Sequence, residues 1–179
     1  MIINNMKVRK ELPSQLKKET AKRLRRLRRE FDGDPELKVF ENTEGYDQMI
    51  CLMNIEFSAL CEHHKISFGG IAHVGYVAKD LLVGVSKLAR VVESCLNPTV
   101  CTLQERATQQ IMKKLKEALE PIGIMVVVKA KHGCVGYRGV KKPASIMVTS
   151  AVDGCFRDNT SGARSEFLAL VAPQEKQLN

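Results

Sequence analysis

Gln48–Ser58 reads QMICLMNIEFS, and Ile66–Val77 reads ISFGGIAHVGYV. In the first stretch Met49, Cys51, Met53, Ile55 and Phe57 alternate with Ile50, Leu52, Asn54 and Glu56. That period of two predicts a strand whose apolar face carries the odd-numbered residues. The second stretch is also strand-like, and Gly69-Gly70 inside it predicts a bulge or a close backbone approach. The two strands form a hairpin with Cys61-Glu62-His63-His64 near the connection. That segment holds two of the four histidines and one of the six cysteines. Thiolate and imidazole are the ligands zinc prefers. Cys61 and His64, three apart, can grip one ion across a turn, and Cys134 in His132-Gly133-Cys134 is the best candidate for a third ligand. The competing reading is a packed thiol beside a hydrogen-bonded imidazole, since the C-x2-H pattern lacks a second close pair.

Beyond the hairpin the period changes. Ser86–Leu96 places Leu88, Val91, Val92, Cys95 and Leu96 at helical spacing, with Ser86 as N-cap and Asn97-Pro98 as the stop. Thr102–Glu120 is a longer helix with Leu103, Ala107, Ile111, Leu115, Ala118 and Leu119 on one face, ended by Pro121-Ile122-Gly123. Ile124–Lys131 returns to strand, and Ser145–Val152 is its partner. Ala163–Val171 is a final helix. The order is hairpin, two helices, hairpin, with a helix added at each end. This is an α+β fold: an antiparallel sheet with two antiparallel helices on one face, ββααββ. Each hairpin delivers part of the cluster at a strand end. A small sheet with open edges must cover them or pair with another chain, so self-association is expected.

The 179 residues, 44% apolar and 27% charged, describe an ordinary globular chain divided into a basic N-terminal helix and loop (1–47) and a core domain (48–179). No apolar run crosses a bilayer, and Met1–Met6 is too short and polar for a secretory segment, which predicts a cytoplasmic chain whose scattered cysteines are free thiols or ligands. The net charge of +8 points to an anionic partner. Much of it sits between Lys17 and Arg29, in a helix expected from about Ser14 to Phe31. Nucleic-acid binding and a merely solvated helix face are the two readings of that block.

Five blocks carry a resemblance: FSALCEHH at Phe57–His64, GVSKLAR at Gly84–Arg90, LQERATQQI at Leu103–Ile111, HGCVGYRGV at His132–Val140, and FRDN with SEFL near the C-terminus. In this order and spacing the chain resembles GTP cyclohydrolase I from about Gln48 to Val171. The resemblance implies the tunnelling fold, a homodecamer of two pentamers with sites between subunits, and conversion of GTP and water to formate and 7,8-dihydroneopterin triphosphate. It implies that Cys61, His64 and Cys134 hold Zn2+. Three protein ligands leave a fourth position for water, whose pKa zinc lowers to about 7. It also implies His63 and His132 as catalytic histidines and Ser86 in the sugar rearrangement. Gln104 and Glu105 would recognise guanine, and Lys87, Arg90 and Arg138 would hold the triphosphate. TAKRLRR at Thr20–Arg26 weakly resembles a further segment that would bring Arg23 and Arg26 to the triphosphate, which would explain part of the basic charge without nucleic acid.

Ile66-Ser67-Phe68, Asn97-Pro98, Val135-Gly136-Tyr137 and Ala163 depart from the family pattern without removing a proposed ligand or catalytic group. The alternatives are a tunnelling-fold enzyme acting on another purine or pterin, and a non-catalytic basic homologue that binds nucleic acid. A zinc nucleobase deaminase is disfavoured, because the His-x-Glu…Pro-Cys-x-x-Cys pattern is absent.

Overall fold

A computed structural model describes residues 38–158 and 160–172, together with Lys18 and Lys22, which are helical. The expected basic helix otherwise lies outside the described residues, Arg23 and Arg26 included. The strands are β1 (Val39–Glu41), β2 (Met49–Cys61), β3 (Ser67–Val77), β4 (Leu81–Val83), β5 (Cys101–Thr102), β6 (Gly123–His132) and β7 (Met147–Gly154). The helices are α1 (Val85–Cys95), α2 (Gln104–Leu119), a single turn α3 (Gly133–Gly136) and α4 (Ala163–Val171). β2, β3, β6 and β7 form an antiparallel sheet in the order β5-β2-β3-β6-β7, and two-residue β5 runs parallel to the end of β2. β1 and β4 make a separate two-stranded ribbon. The α+β architecture and the ββααββ order are those expected from the sequence.

α1 and α2 bury the stripes their periodicity predicts. Leu88, Val91, Val92 and Cys95 of α1 join Ala107, Ile111, Leu115, Ala118 and Leu119 of α2 in one core with Ala72, Val74, Tyr76, Ile124, Val126 and Val128 of the sheet. Ser86 does not cap α1. The N-cap is Gly84, extended and without a side-chain cap, and Ser86 falls inside the first turn. α2 ends where Glu120 turns left-handed (φ 42°) before Pro121. α4 packs on the opposite face, where Phe167 and Val171 meet Met125, Val127 and Phe156. Gly75 permits this contact, because a Cβ there would lie 2.5 Å from the Phe167 ring.

β2 does not keep one apolar face. Its register against β3 slips between Leu52 and Ile55, and Asn54 adopts φ 56°. Met53 and Asn54 together oppose His73, the signature of a β-bulge. Before the bulge Ile50 and Leu52 face the helices while Met49, Cys51 and Met53 face the α4 side. After it, Ile55, Phe57, Ala59 and Cys61 face the helices. The single alternating face read from the sequence is therefore two half-faces, because the extra residue reverses the phase of the strand.

His73 anchors the bulge. It is fully buried, and its Nδ1 accepts the Asn54 backbone N–H at 3.4 Å. Among the described residues its Nε2 has no hydrogen-bond partner. Burial first, and the Lys129 charge second, push its pKa down from 6.5 to about 4. An imidazole neutral in the folded state and protonatable when unfolded contributes stability that is complete above pH 6.5. That contribution is lost as pH falls from 6.5 to about 4, up to about 3 kcal/mol. Denaturant midpoints measured across this window should fall for the wild-type chain, and the fall should be shallower in His73→Gln.

Candidate metal centre

Five elements converge at one end of the sheet: the ends of β2 and β6, and the starts of β3, β7 and α2. Cys61 is the last residue of β2. Its N–H donates to the Ile66 carbonyl (2.9 Å), and its own carbonyl accepts from the Lys65 N–H (2.8 Å), closing a tight turn. The bulge has already put this side chain on the helix-facing side. Cys134 comes from α3, the turn that follows β6. A Cβ at Gly133 would lie 2.6 Å from Ile66 Cγ2, so the residue before Cys134 must be small for β6 to end against this loop. The sulfurs of Cys61 and Cys134 and a ring nitrogen of His132 all lie within 4.8 Å of one another. Burial, and then the neighbouring Cys61 thiol, push the Cys134 thiol up. Two thiols this close, with imidazoles at hand, fit a zinc site, and binding of the ion would displace the thiol protons.

His132 is held on two sides. Its ring stacks on Phe68 at 4.5 Å between centroids and 9° between planes, and Phe68 in turn meets the edge of Phe57. Its Nε2 lies 2.8 Å from Gln104 Oε1. Gln104, the first residue of α2, is 1% exposed. Its amide nitrogen donates to the Val128 and Met147 carbonyls and to Thr149 Oγ1, each at 3.1 Å. Burial lowers the His132 pKa, and the Glu105 carboxylate pulls in the opposite direction.

These groups border a cavity of about 290 Å³ that Glu105, His63, Val135 and Met147 also line. Glu105 is exposed, on the first turn of α2. His64 is exposed, its ring 6.1 Å from that of His63, and it lies outside the Cys61–His132–Cys134 group. The structure thus brings together Cys61, Cys134, His132, His63, Gln104 and Glu105. Arg138 is exposed just past Cys134, and its charge reaches that thiol. Ser86, Lys87 and Arg90 are elsewhere. α1 begins just after β4, at the sheet end where Met49 pairs with Val77, whereas Cys61 closes the other end of β2.

Sequence reasoning left Glu62 without a role. Its carboxylate forms a two-pronged ion pair with Arg106, one turn into α2, and that contact holds its pKa low. The pair clips the Cys61–Lys65 turn to the helix that carries Gln104 and Glu105. The partners are 44 residues apart, and no local pattern links them. The Phe68 stack was equally unannounced, because Phe68 reads simply as an apolar strand residue.

A tunnelling-fold chain with a Cys–His–Cys group at a strand end that could hold a metal ion is the class that the fold and site define. The GTP cyclohydrolase I family model matches residues 3–172, and the chain belongs to that family. Similar relatives, each named GTP cyclohydrolase 1, include that of Chlorobium phaeovibrioides, 44% identical over 155 residues (86% of this chain, 68% of the relative). That of Aquifex aeolicus is 41% identical over 157 residues (86% and 83%), and that of a Sulfurihydrogenibium species 39% over 162 (89% and 84%). Among the described residues no helix is long and apolar enough to cross a membrane.

Loss of the Glu62–Arg106 clip should loosen the turn without unfolding the domain. Hydrogen exchange in the peptide covering Glu62–Ile66 should quicken in Arg106→Ala by less than about tenfold, as befits an exposed pair. The charge swap Glu62→Arg with Arg106→Glu should restore slow exchange.

Proposed function

We propose that this chain opens the imidazole ring of GTP by hydrolysis and rearranges the product to 7,8-dihydroneopterin triphosphate, releasing formate. The observation that carries the reading is the Cys61–Cys134–His132 cluster beside a cavity rimmed by Glu105. Zn2+ would be held by Cys61 and Cys134, with His64 turning inward as the third ligand, and would supply an acidified water at neutral pH.

The remaining steps fall to the side chains. A cavity of about 290 Å³ is at the small end of ligand sites, with room for a purine base but not a whole nucleotide. The Glu105 carboxylate is suited to accept from the guanine N1–H and 2-amino group together, a match adenine cannot offer. His63, in the cavity wall, is suited to deliver a proton to N7 of the base, the general-acid role imidazoles commonly take. His132, whose pKa burial lowers, is placed to accept one.

The triphosphate must lie outside the cavity, where Arg138 offers a first positive charge. Lys87 and Arg90, with Ser86 for the sugar rearrangement, sit at the far end of the same sheet. They would therefore come from a neighbouring subunit, as in a homodecamer of two pentamers. Arg23 and Arg26 would add to the same charge. The basic surplus then answers a nucleotide triphosphate in a cytoplasmic enzyme, and nucleic acid is not required.

The test is turnover of GTP by zinc-loaded protein, followed by formate release and by pterin fluorescence after oxidation. GTP should yield both products and ATP neither. Zinc-loaded protein that leaves GTP intact while converting another purine or a pterin would establish the alternative enzyme reading. Cys134→Ala and His64→Ala should lose both metal and formate release. His132→Ala should retain metal and lose at least about a hundredfold in rate, the weight of a general acid–base group.

A further inference from the structure

We propose that Gln104 does not read the base, but fixes the His132 imidazole in one tautomer and one orientation, leaving the guanine edge to Glu105. The inference rests on the GTP reading above.

The hydrogen bonds around Gln104 leave it no N–H to offer a substrate. A glutamine amide has two N–H donors and one carbonyl oxygen. The nitrogen faces Val128 O, Met147 O and Thr149 Oγ1, each at 3.1 Å. The oxygen faces His132 Nε2 at 2.8 Å. The opposite amide orientation would aim a carbonyl oxygen at two backbone carbonyl oxygens, so the assignment is forced. The hydroxyls fix it further. The Thr108 hydroxyl donates to the Gln104 backbone carbonyl at 2.7 Å, which spends its one proton. In its 2.7 Å contact with Thr149 it must then accept, so Thr149 donates. Thr149, its proton spent, accepts from the Gln104 amide. The ring from amide to Thr149 to Thr108 to the Gln104 backbone carbonyl has one direction only.

The consequence falls on the imidazole. An amide oxygen can only accept, so His132 carries its proton on Nε2. Phe68, stacked at 4.5 Å, fixes the plane of the ring. Gln104 is therefore a positioning residue that acts through His132. To contact a base it would have to leave a site only 1% exposed and orphan two strand carbonyls.

Base readers and positioning residues leave different kinetic traces. kcat and KM should be measured for GTP, for ITP (no 2-amino group) and for 2-aminopurine riboside triphosphate (no O6) in wild type, Gln104→Met and Glu105→Gln. Gln104→Met should lower kcat for GTP by about 10- to 100-fold, the usual cost of losing a histidine's orienting partner. Its kcat/KM preference for GTP over each analogue should stay within about threefold of wild type. Glu105→Gln should cut the preference over ITP by about tenfold or more. Thr149→Val, which removes one acceptor and leaves the glutamine in place, should show the same pattern at smaller size. It decides the matter if Gln104→Met fails to fold. A preference that collapses in either variant while kcat holds overturns the proposal.

A second arm is independent of turnover. In protein labelled with 15N-histidine, which has four histidines to assign, His132 should show the Nε2–H tautomer in wild type and a mixture in Gln104→Met. Nδ1–H in the wild type overturns the proposal. Absence of GTP turnover in the wild type overturns the GTP reading instead, and the tautomer result still stands or falls alone.

Discussion

The hydrogen bond from the Asn54 backbone to buried His73 is a small contact on which much of the molecule depends. It sits where two residues of β2 oppose one of β3, and so it marks the point at which the strand changes phase. Side chains alternate strictly along a strand, and one inserted residue sends every later one to the other face. Without the insertion Cys61 would point toward the α4 side, away from Cys134 and His132. With it, Met49, Cys51 and Met53 serve the small core under α4, while Ile55, Phe57 and Ala59 serve the large one. One strand thus feeds two cores and still delivers a thiol to the site.

Around the site, polar contacts take over from apolar packing. The large core fills the space between helices and sheet with Leu, Ile, Val and Ala, none of which fixes a direction. Direction comes from Gln104, Thr108 and Thr149, which tie α2 to β6 and β7, and from Glu62 with Arg106, which ties the Cys61 turn to α2. The two sets differ in kind. The Gln104 set is buried and every donor has an acceptor, so it rigidifies. The Glu62–Arg106 pair is exposed to water and bears on a loop, where it can yield.

Much of this was legible in the residues. The stripes at Leu88–Cys95 and Ala107–Leu119, ended by Pro98 and Pro121, reported two helices and their buried faces, because period and punctuation are local properties. Cys61 and Cys134 stood out through residue type and position at strand ends, and the structure brings the two thiols together. The bulge was not legible. Asn54 falls on an even position, where a polar residue is unremarkable in an alternating strand, so nothing in the pattern betrays the change of phase. Gln104 gained a guanine-reading role only from the family resemblance. Its link to His132, 28 residues away, exists only once the register of β6 against β7 is set. Nor could the sequence say which face α4 would cover. Phe167 fits only because Gly75, far away in the chain, has no side chain.

Among the described residues β7 is the outer strand of its sheet, with one edge unpaired. Yet it supplies two of the three acceptors that hold the Gln104 amide, the Met147 carbonyl and the Thr149 hydroxyl. An outer strand opens more readily than an inner one, because fewer contacts must break to free it. The sharpness of the site's geometry is therefore limited by fluctuations at the rim of the sheet rather than by its well-packed middle. Any strand that docked along the free edge of β7 would damp those fluctuations and tighten the imidazole without touching it. Association and site order would then be thermodynamically linked, so that crowding the chains together sharpens the centre and dilution blurs it.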